Sequence, residues 1–366
     1  MQQDYKARID QLRAISGVDA IMIVPGSNMI YFTGLEFHLS ERPVIGIFTE
    51  QGLSVIVPRL EMPKLIKRPD LEALPFEWSD AEGYAGAFQR ALDELGLRGK
   101  RIGIDGMTMR ASEWLHFQQI DPTLQVVPVE RELTRIRAHK QPDEVELMRR
   151  AVAASEAALA QLLQEVRPGM TEREIAGRLN ELVIEKGCNG IAFDALIQTG
   201  PNSDNPHGFC TDRVLQADEF LLIDFGGKVD GYPADITRTF CLGTPTDEMQ
   251  TIYDTVKEAN EAAREAAAPG VPMGEVDKAA RDVIEAAGYG KYFTHRTGHG
   301  LGLDTHEPIP QIAPNVADLL EPGMVFTIEP GIYIPGMGGV RIEDNVLVTE
   351  DGIEVLTSYP RQLTVK

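Results

Sequence analysis

The sequence predicts an α+β protein of two domains, the larger of which contains an internal two-fold repeat. Three observations support this prediction. The chain has 366 residues, which is enough for two hydrophobic cores. The first part alternates short apolar strands with helices, as an α/β domain does. In the remainder, two similar helix-and-hairpin segments follow one another, which indicates a duplicated unit.

The first domain, residues 1–132, is predicted to be a small α/β domain with a mixed sheet. Short apolar runs predict strands at 20–24, 44–48, 53–57 and 101–105. Residues 84–95 are predicted to form a helix that ends at Gly96, because glycine is common just past a helix C-terminus. The second domain is then 133–366.

A long helix is predicted near the start of the second domain. Pro142 suits the first turn of a helix, and Asp143 and Glu144 place negative charge at the N-terminus, where the helix dipole favours it. The apolar residues that follow are spaced to lie on one helix face. They are Val145, Met148, Val152, Leu159, Leu162 and Leu163.

The repeat consists of residues 168–187 and 269–288. Each segment begins with Pro-Gly, is predicted to be helical and ends at a glycine, and in the first Thr171 and Glu174 form a capping-box pattern. Each follows an Ala-rich helix and precedes a predicted β-hairpin. We therefore expect two helix–helix–hairpin halves related by a pseudo-two-fold axis.

Four carboxylates and one histidine of this domain form the pattern that bears on function. The carboxylates lie at the ends of apolar strands or beside hairpin turns, and the histidine lies between two glycines. The five residues are Asp224, Asp235, His299, Glu329 and Glu343. An ionised carboxylate at the end of a buried strand costs several kcal/mol unless a positive charge meets it. A backbone amide or an arginine could meet any one of them, but the whole set favours two divalent metal ions, Mn, Co or Zn.

These residues resemble a known family. The pattern LLIDFGG, ADITRT, TGHGLG, FTIEPG, VRIEDN is similar to the ligand set of methionine aminopeptidase, aminopeptidase P and prolidase. The resemblance covers about residues 130–366 and implies a pita-bread fold. The N-terminal domain resembles the creatinase-type domain of prolidases and aminopeptidase P. Creatinase itself lacks the metal ligands that this chain retains.

The resemblance also implies roles for individual residues. Asp224 would bind one metal, His299 and Glu329 the other, and Asp235 and Glu343 both. A hydroxide shared by the two ions would attack the peptide carbonyl, and Glu329 would act as general base. His207 and His306 match histidines that act on the substrate and the oxyanion during catalysis. His295 and Arg341 match residues that contact the substrate.

The implied activity is hydrolysis of the Xaa-Pro bond in a small peptide. A dipeptidase is favoured because the chain is short for the family. Aminopeptidase P, which acts on longer peptides with proline second, is the first alternative. A hydrolase or lyase of a small amino-acid derivative on the same metals is the second. A binding protein without catalysis is disfavoured because none of the five ligands is lost.

One departure from the family concerns the substrate carboxylate. Some prolidases hold it with an arginine shortly after the His-Glu pair, but HEPIPQIAP contains none. Arg42 in FHLSERP is our candidate for this role, and His38 is the second. Either would act across the homodimer that the resemblance implies, since the N-terminal domain often reaches the partner's active site in this family.

Charge and hydropathy exclude other partners. The formal net charge is −21, whereas nucleic-acid binding needs clustered Lys and Arg. No apolar run is long enough to span a membrane, and the first residues lack a signal-peptide core. We therefore expect a cytoplasmic protein whose partners are a small peptide substrate and a second copy of itself, with no nucleic acid and no membrane.

Overall fold

The computed structural model describes residues 5–364 and divides into two compact units, with the division between Arg137 and Ala138. The predicted boundary lies a few residues earlier, inside a helix that spans Glu130–Ala138. The charged residues near this boundary lie on that regular helix. Among residues 5–364, no helix is both long enough and apolar enough to cross a membrane.

The N-terminal unit is a six-stranded mixed sheet with helices. Its helices are α1 (Tyr5–Arg13), α2 (Ser27–Thr33), α3 (Met62–Ile66), α4 (Ala85–Glu94), α5 (Ala111–Ile120) and α6 (Glu130–Ala138). Its strands are β1 (Ala20–Ile23), β2 (Ile45–Thr49), β3 (Gly52–Pro58), β4 (Leu74–Trp78), β5 (Arg101–Ile104) and β6 (Gln125–Pro128). The strand order is β4-β3-β2-β1-β5-β6, with β2 antiparallel to both its neighbours and the other pairs parallel. The predicted mixed sheet, its four strands and the helix ending before Gly96 are confirmed.

The C-terminal unit contains two halves of similar element order. The first half consists of α7 (Pro142–Glu165), α8 (Glu172–Glu185), β7 (Gly190–Ile191), β8 (Leu196–Thr199), β9 (Phe220–Phe225), β10 (Gly227–Val229), β11 (Tyr232–Pro233) and β12 (Ile236–Cys241). The second consists of α9 (Asp247–Ala266), α10 (Met273–Ala286), β13 (Gly298–Gly300), β14 (Glu307–Ile312), β15 (Val325–Ile328), β16 (Gly331–Ile334), β17 (Gly338–Arg341), β18 (Asp344–Val348) and β19 (Ile353–Val355). In each half a helix pair packs on strands that carry predicted ligands, two in the first half and three in the second.

Equivalent contacts recur in the two halves. The N-terminus of α8 forms a β-bridge between Thr171 and Val214, and the N-terminus of α10 forms one between Pro272 and Leu319. Each helix pair also buries its own apolar cluster, mainly against strands of its own half. Two similar halves, each with its own cluster, are what an internal duplication produces, so the predicted repeat is confirmed.

The hairpins differ from the prediction in one respect. β9 pairs antiparallel with β12, and β15 pairs antiparallel with β18, but neither pair is joined by a simple turn. A smaller hairpin lies between the paired strands, β10–β11 in the first half and β16–β17 in the second, each in a separate sheet. Asp230 and Gly231 form the turn of the β10–β11 hairpin. The paired strands still bring the predicted ligands close together.

Candidate active site

The five predicted metal ligands line one cavity of about 910 Å³ in the C-terminal unit. Each lies in a strand or directly beside one. They are Asp224 in β9, Asp235 before β12, His299 at the centre of β13, Glu329 after β15 and Glu343 between β17 and β18. All five side chains are at least mostly buried. The two halves of the unit therefore contribute to one site.

His299 presents a free ring nitrogen to two carboxylates. Its Nδ1 lies 3.1 Å from the carbonyl oxygen of Gly300, so Nδ1–H donates there and Nε2 keeps its lone pair. Nε2 lies 3.3 Å from Glu329 Oε1 and 3.6 Å from Asp235 Oδ2. Burial and the neighbouring His306 lower the pKa of His299 to about 3, so the ring is neutral at neutral pH. A lone pair that faces two ionised carboxylates is repulsive, and a cation among them would remove this repulsion.

The carboxylates repel one another in the same way. Burial and the charges of neighbouring carboxylates raise the pKa values of Asp235 and Glu343 well above their usual range. Burial and the Asp224 charge raise the pKa of Glu329 to about 7, although Arg341 opposes this shift. One buried oxygen, Asp224 Oδ1, has no hydrogen-bond partner.

These observations fit a site for divalent cations. The ligand atoms of Asp235, His299 and Glu343 lie within 4.8 Å of one another, which is close enough to share one ion. A cation would compensate the repulsion among the buried carboxylates and satisfy the free atoms of Asp224 and His299. A shell of carboxylates with a single imidazole suits hard or borderline divalent metals.

Two threonines orient the carboxylates. Thr237 Oγ1 donates to Glu343 Oε2 at 2.6 Å, and Thr327 Oγ1 donates to Glu329 Oε1 at 3.3 Å. Sequence reasoning did not select either residue. The signal was available, because Thr327 lies two residues before Glu329, and Thr237 two after Asp235, so each shares a strand face with a ligand.

A chain of hydrogen bonds ties Arg341 to His295 through Tyr333. Arg341 Nη2 donates to Asp224 Oδ2 at 2.5 Å, and Nη1 donates to Tyr333 Oη at 2.8 Å. The Tyr333 hydroxyl in turn donates to His295 Nε2 at 2.9 Å, while His295 Nδ1–H donates to the Arg296 carbonyl at 2.7 Å. Burial and Arg341 lower the pKa of His295 to about 4. Both ring nitrogens of His295 are thus used within the chain, and Arg341 orients Asp224.

Tyr333 was not predicted from the sequence. It lies in the apolar strand β16, where a tyrosine is an ordinary core residue, and no local pattern distinguishes it.

The two other predicted histidines face the cavity. The His306 ring lies with its centroid 4.0 Å from that of His299, and partial burial together with Arg296 lowers its pKa. His207 is exposed in the loop after β8 and also lines the cavity. The residue after His306 is held firmly, because Glu307 Oε2 accepts a hydrogen bond from the buried Lys140 Nζ at 2.8 Å.

Arg42 and His38 do not line this cavity. Both belong to the N-terminal unit. Arg42 contacts Asp80 through Nε and Nη2, at 3.0 and 2.9 Å, on the surface of that unit. His38 is exposed. Their predicted roles depend on a second copy of the chain and stay predictions.

Comparisons with known proteins agree with this geometry. Residues 146–350 match the family model described as Metallopeptidase family M24, and residues 7–139 match the one described as Creatinase/Prolidase N-terminal domain. An uncharacterized peptidase of Staphylococcus haemolyticus is 36% identical, over 94% of this chain and 95% of its own length.

Two solved structures are similar over nearly the whole chain. A prolidase from Thermococcus sibiricus is 35% identical with a TM-score of 0.94, and the match covers 100% of both chains. An X-Pro aminopeptidase from Thermotoga maritima is 31% identical with a TM-score of 0.85, and the match covers 98% of this chain and 100% of the other. The chain therefore belongs to metallopeptidase family M24, with a creatinase/prolidase N-terminal domain and a pita-bread catalytic domain.

Proposed function

We propose that the protein hydrolyses the Xaa-Pro bond of dipeptides with the help of two divalent metal ions. The observation that carries this proposal is the convergence of Asp224, Asp235, His299, Glu329 and Glu343 on one cavity. The similarity to a solved prolidase supports the choice of substrate. Carboxylate-rich ligands of this kind suit Mn, Co or Zn.

The five ligands would hold the ions between the two halves of the domain. Asp224 would bind one ion, His299 and Glu329 the other, and Asp235 and Glu343 both. Bound divalent ions would supply a Lewis acid for the peptide carbonyl and lower the pKa of water to near neutrality. Thr237 and Thr327 keep two of the carboxylates in one orientation.

The chain's own residues would move the proton and hold the substrate. Glu329 would accept a proton from the attacking water and deliver it to the proline nitrogen as the C–N bond breaks. His306, which faces the cavity beside His299, would donate a hydrogen bond to the carbonyl oxygen as negative charge develops on it. His207, exposed at the same cavity, would contact the substrate.

The cavity suits proline at the second position. Its walls include Phe193, Leu196 and Phe209, which can pack against the pyrrolidine ring. The nitrogen of an Xaa-Pro bond carries no N–H, so enzymes that must bind that N–H exclude this substrate. A site that binds the substrate through its carbonyl oxygen and the metal ions does not need this N–H.

An X-Pro aminopeptidase is the second candidate. It is favoured by the similarity to the Thermotoga maritima structure, which covers nearly the whole chain. The two candidates share the metal site and differ in what lies beyond the proline, where a dipeptidase must bind a free carboxylate.

The experiment compares Ala-Pro with Ala-Pro-Ala as substrates, with added Mn or Zn and with a chelated control. Metal-dependent cleavage of Ala-Pro in preference to Ala-Pro-Ala supports the dipeptidase. The reverse preference supports the aminopeptidase. If neither is cleaved at any metal concentration, the Xaa-Pro proposal is wrong, and small amino-acid derivatives become the substrates to test.

The proposal also includes a cytoplasmic homodimer. A second copy would allow Arg42 and His38 to reach the partner's cavity. Sedimentation equilibrium at micromolar concentration tests this part, and a monomer at all concentrations would contradict it.

A further inference from the structure

Three arginines line the cavity, and two of them are already used. Arg341 donates to Asp224 and to the Tyr333 hydroxyl. Arg173 has its Nε 3.2 Å from Asp212 Oδ1 on the exposed rim. The guanidinium of Arg296, which is half-buried, has no hydrogen-bond or ion-pair partner anywhere in residues 5–364. Within the described part of the chain, it is the one arginine of the cavity wall with all its donors available for a ligand.

The backbone on both sides of Arg296 is anchored. The carbonyl oxygen of His295 accepts a hydrogen bond from Arg281 Nη2 at 3.0 Å. The backbone N–H of Thr297 donates to Asp277 Oδ1 at 3.0 Å, and the Thr297 hydroxyl donates to the same oxygen at 2.8 Å. The main chain is therefore already ordered, so binding a ligand must immobilise only the Arg296 side chain.

Arg296 also lines the same cavity as the five predicted metal ligands, and it lies three residues before His299. In an Xaa-Pro dipeptide the carboxyl carbon lies only about 2.5 Å from the nitrogen that leaves. A cation that binds this carboxylate must therefore lie in the catalytic cavity, a few Å from the scissile bond.

We propose that Arg296 binds the free α-carboxylate of the proline and thereby makes the enzyme select dipeptides. The inference rests on the proposed Xaa-Pro hydrolysis and names the residue that determines its specificity. A guanidinium presents two parallel N–H groups that match a carboxylate, and a partly desolvated pair of this kind is strong. Arg296, which lies just before β13, would supply the carboxylate-binding arginine that the segment HEPIPQIAP lacks. Arg42, in contrast, already uses two donors on Asp80.

The test compares Ala-Pro with Ala-prolinamide, which has no carboxylate charge. In the wild-type protein, kcat/KM is expected to be higher for Ala-Pro. In Arg296→Gln the ratio of the two values should fall by about 10- to 100-fold, mainly through KM, because a charged hydrogen bond is lost. Arg296→Lys should recover part of the ratio. Arg173→Gln, which changes another arginine of the cavity wall, should keep the wild-type ratio.

A binding measurement separates this inference from the proposed activity. Isothermal titration calorimetry of the Mn-loaded protein compares L-proline with L-prolinamide. Wild-type protein is expected to bind proline at least tenfold more tightly, and Arg296→Gln should lose this preference even if no peptide is cleaved. Circular dichroism verifies that the variant is folded.

Three outcomes overturn the assignment. One is an unchanged substrate ratio and unchanged proline binding in a folded Arg296→Gln, which leaves the peptidase proposal intact. Another is loss of the ratio in Arg42→Gln but not in Arg296→Gln, which transfers the role to the N-terminal unit. The last is a wild-type protein that does not distinguish proline from prolinamide.

Discussion

At the scale of single residues, the site brings together buried carboxylates that repel one another and the lone pair of a neutral histidine. A cation would compensate both. His299 keeps its Nε2 lone pair because its Nδ1 is used by the Gly300 carbonyl. Asp235 and Glu343 are buried beside each other, which disfavours the charged form of both. An arrangement of this kind is unfavourable for stability alone, so its presence argues for a bound ion.

The first prediction concerns Glu329. Glu329→Gln keeps the shape of the side chain but removes the group that accepts the proton. We expect kcat for Ala-Pro to fall by about 10²- to 10⁴-fold, the usual contribution of general acid–base catalysis. Steady-state kinetics with saturating Mn measures this.

The stability of the same variant without metal serves as a control. In EDTA the amide removes one of the mutually repelling charges, so Glu329→Gln should be at least as stable to urea as the wild type. A wild-type kcat in this variant would show that Glu329 is not the general base. A variant that is much less stable in EDTA would show that the carboxylate has a structural role.

The site residues differ in how visible they are in sequence. A carboxylate at the end of an apolar strand, or a histidine between glycines, departs from what the fold needs, so the five ligands could be selected. Tyr333 and Arg296 could not be selected in this way. A tyrosine in an apolar strand and an arginine in a loop are ordinary, and only the three-dimensional contacts reveal their positions.

At the scale of elements, strand ends deliver the ligands, and close packing of strands fixes where those ends lie. β13 carries His299 and packs against β15, which precedes Glu329. At Gly298 the two strands come so close that a Cβ atom would overlap the carbonyl oxygen of Thr327. The glycine before His299 is therefore required by packing.

The second prediction follows from this contact. Gly298→Ala should force β13 away from β15, with a loss of about 1–3 kcal/mol of unfolding free energy and weaker Mn binding. Gly177→Ala is the matched control, because Gly177 lies in α8 with open space around its Cα. Alanine there should be neutral or stabilise by up to about 1 kcal/mol. Urea denaturation compares the two, and equal stabilities would contradict the packing argument.

Several strands that were missed from the sequence are short or lie at the edges of sheets. β4 and β6 are the two edge strands of the N-terminal sheet. β4 mixes exposed with buried positions and β6 is mostly exposed, so neither shows a continuous apolar run. The inner hairpins β10–β11 and β16–β17 were merged with turns because their strands have only two to four residues. Such short strands are defined by their hydrogen-bonded pairing, which the local sequence does not reveal.

At the scale of the whole molecule, the metal site is the place where the two halves of the C-terminal unit meet. The first half supplies Asp224 and Asp235, and the second supplies His299, Glu329 and Glu343. The repeat was predictable from two segments that begin with Pro-Gly, are helical and have a similar spacing to their hairpins. A ligand that binds both halves should stabilise this unit as a whole, because unfolding either half destroys the site.

The last prediction is that metal removal destabilises the C-terminal unit selectively. At a free metal concentration 100 times Kd, binding contributes about 2.7 kcal/mol, which corresponds to a shift of roughly 5–10 °C in Tm for a unit of this size. The two units can be followed separately. Both tryptophans, Trp78 and Trp114, lie in the N-terminal unit, so their fluorescence reports that unit, whereas far-UV circular dichroism reports both.

EDTA should therefore lower the circular-dichroism midpoint and leave the fluorescence midpoint in place. Asp235→Asn, which loses a ligand proposed to bind both ions, should show a smaller shift than the wild type at the same Mn concentration. If EDTA moves neither midpoint, the cavity does not hold a stabilising ion, and the buried carboxylates must be neutralised by protons instead. If both midpoints move together, the units unfold as one, and the energy of the metal site is shared by the whole chain.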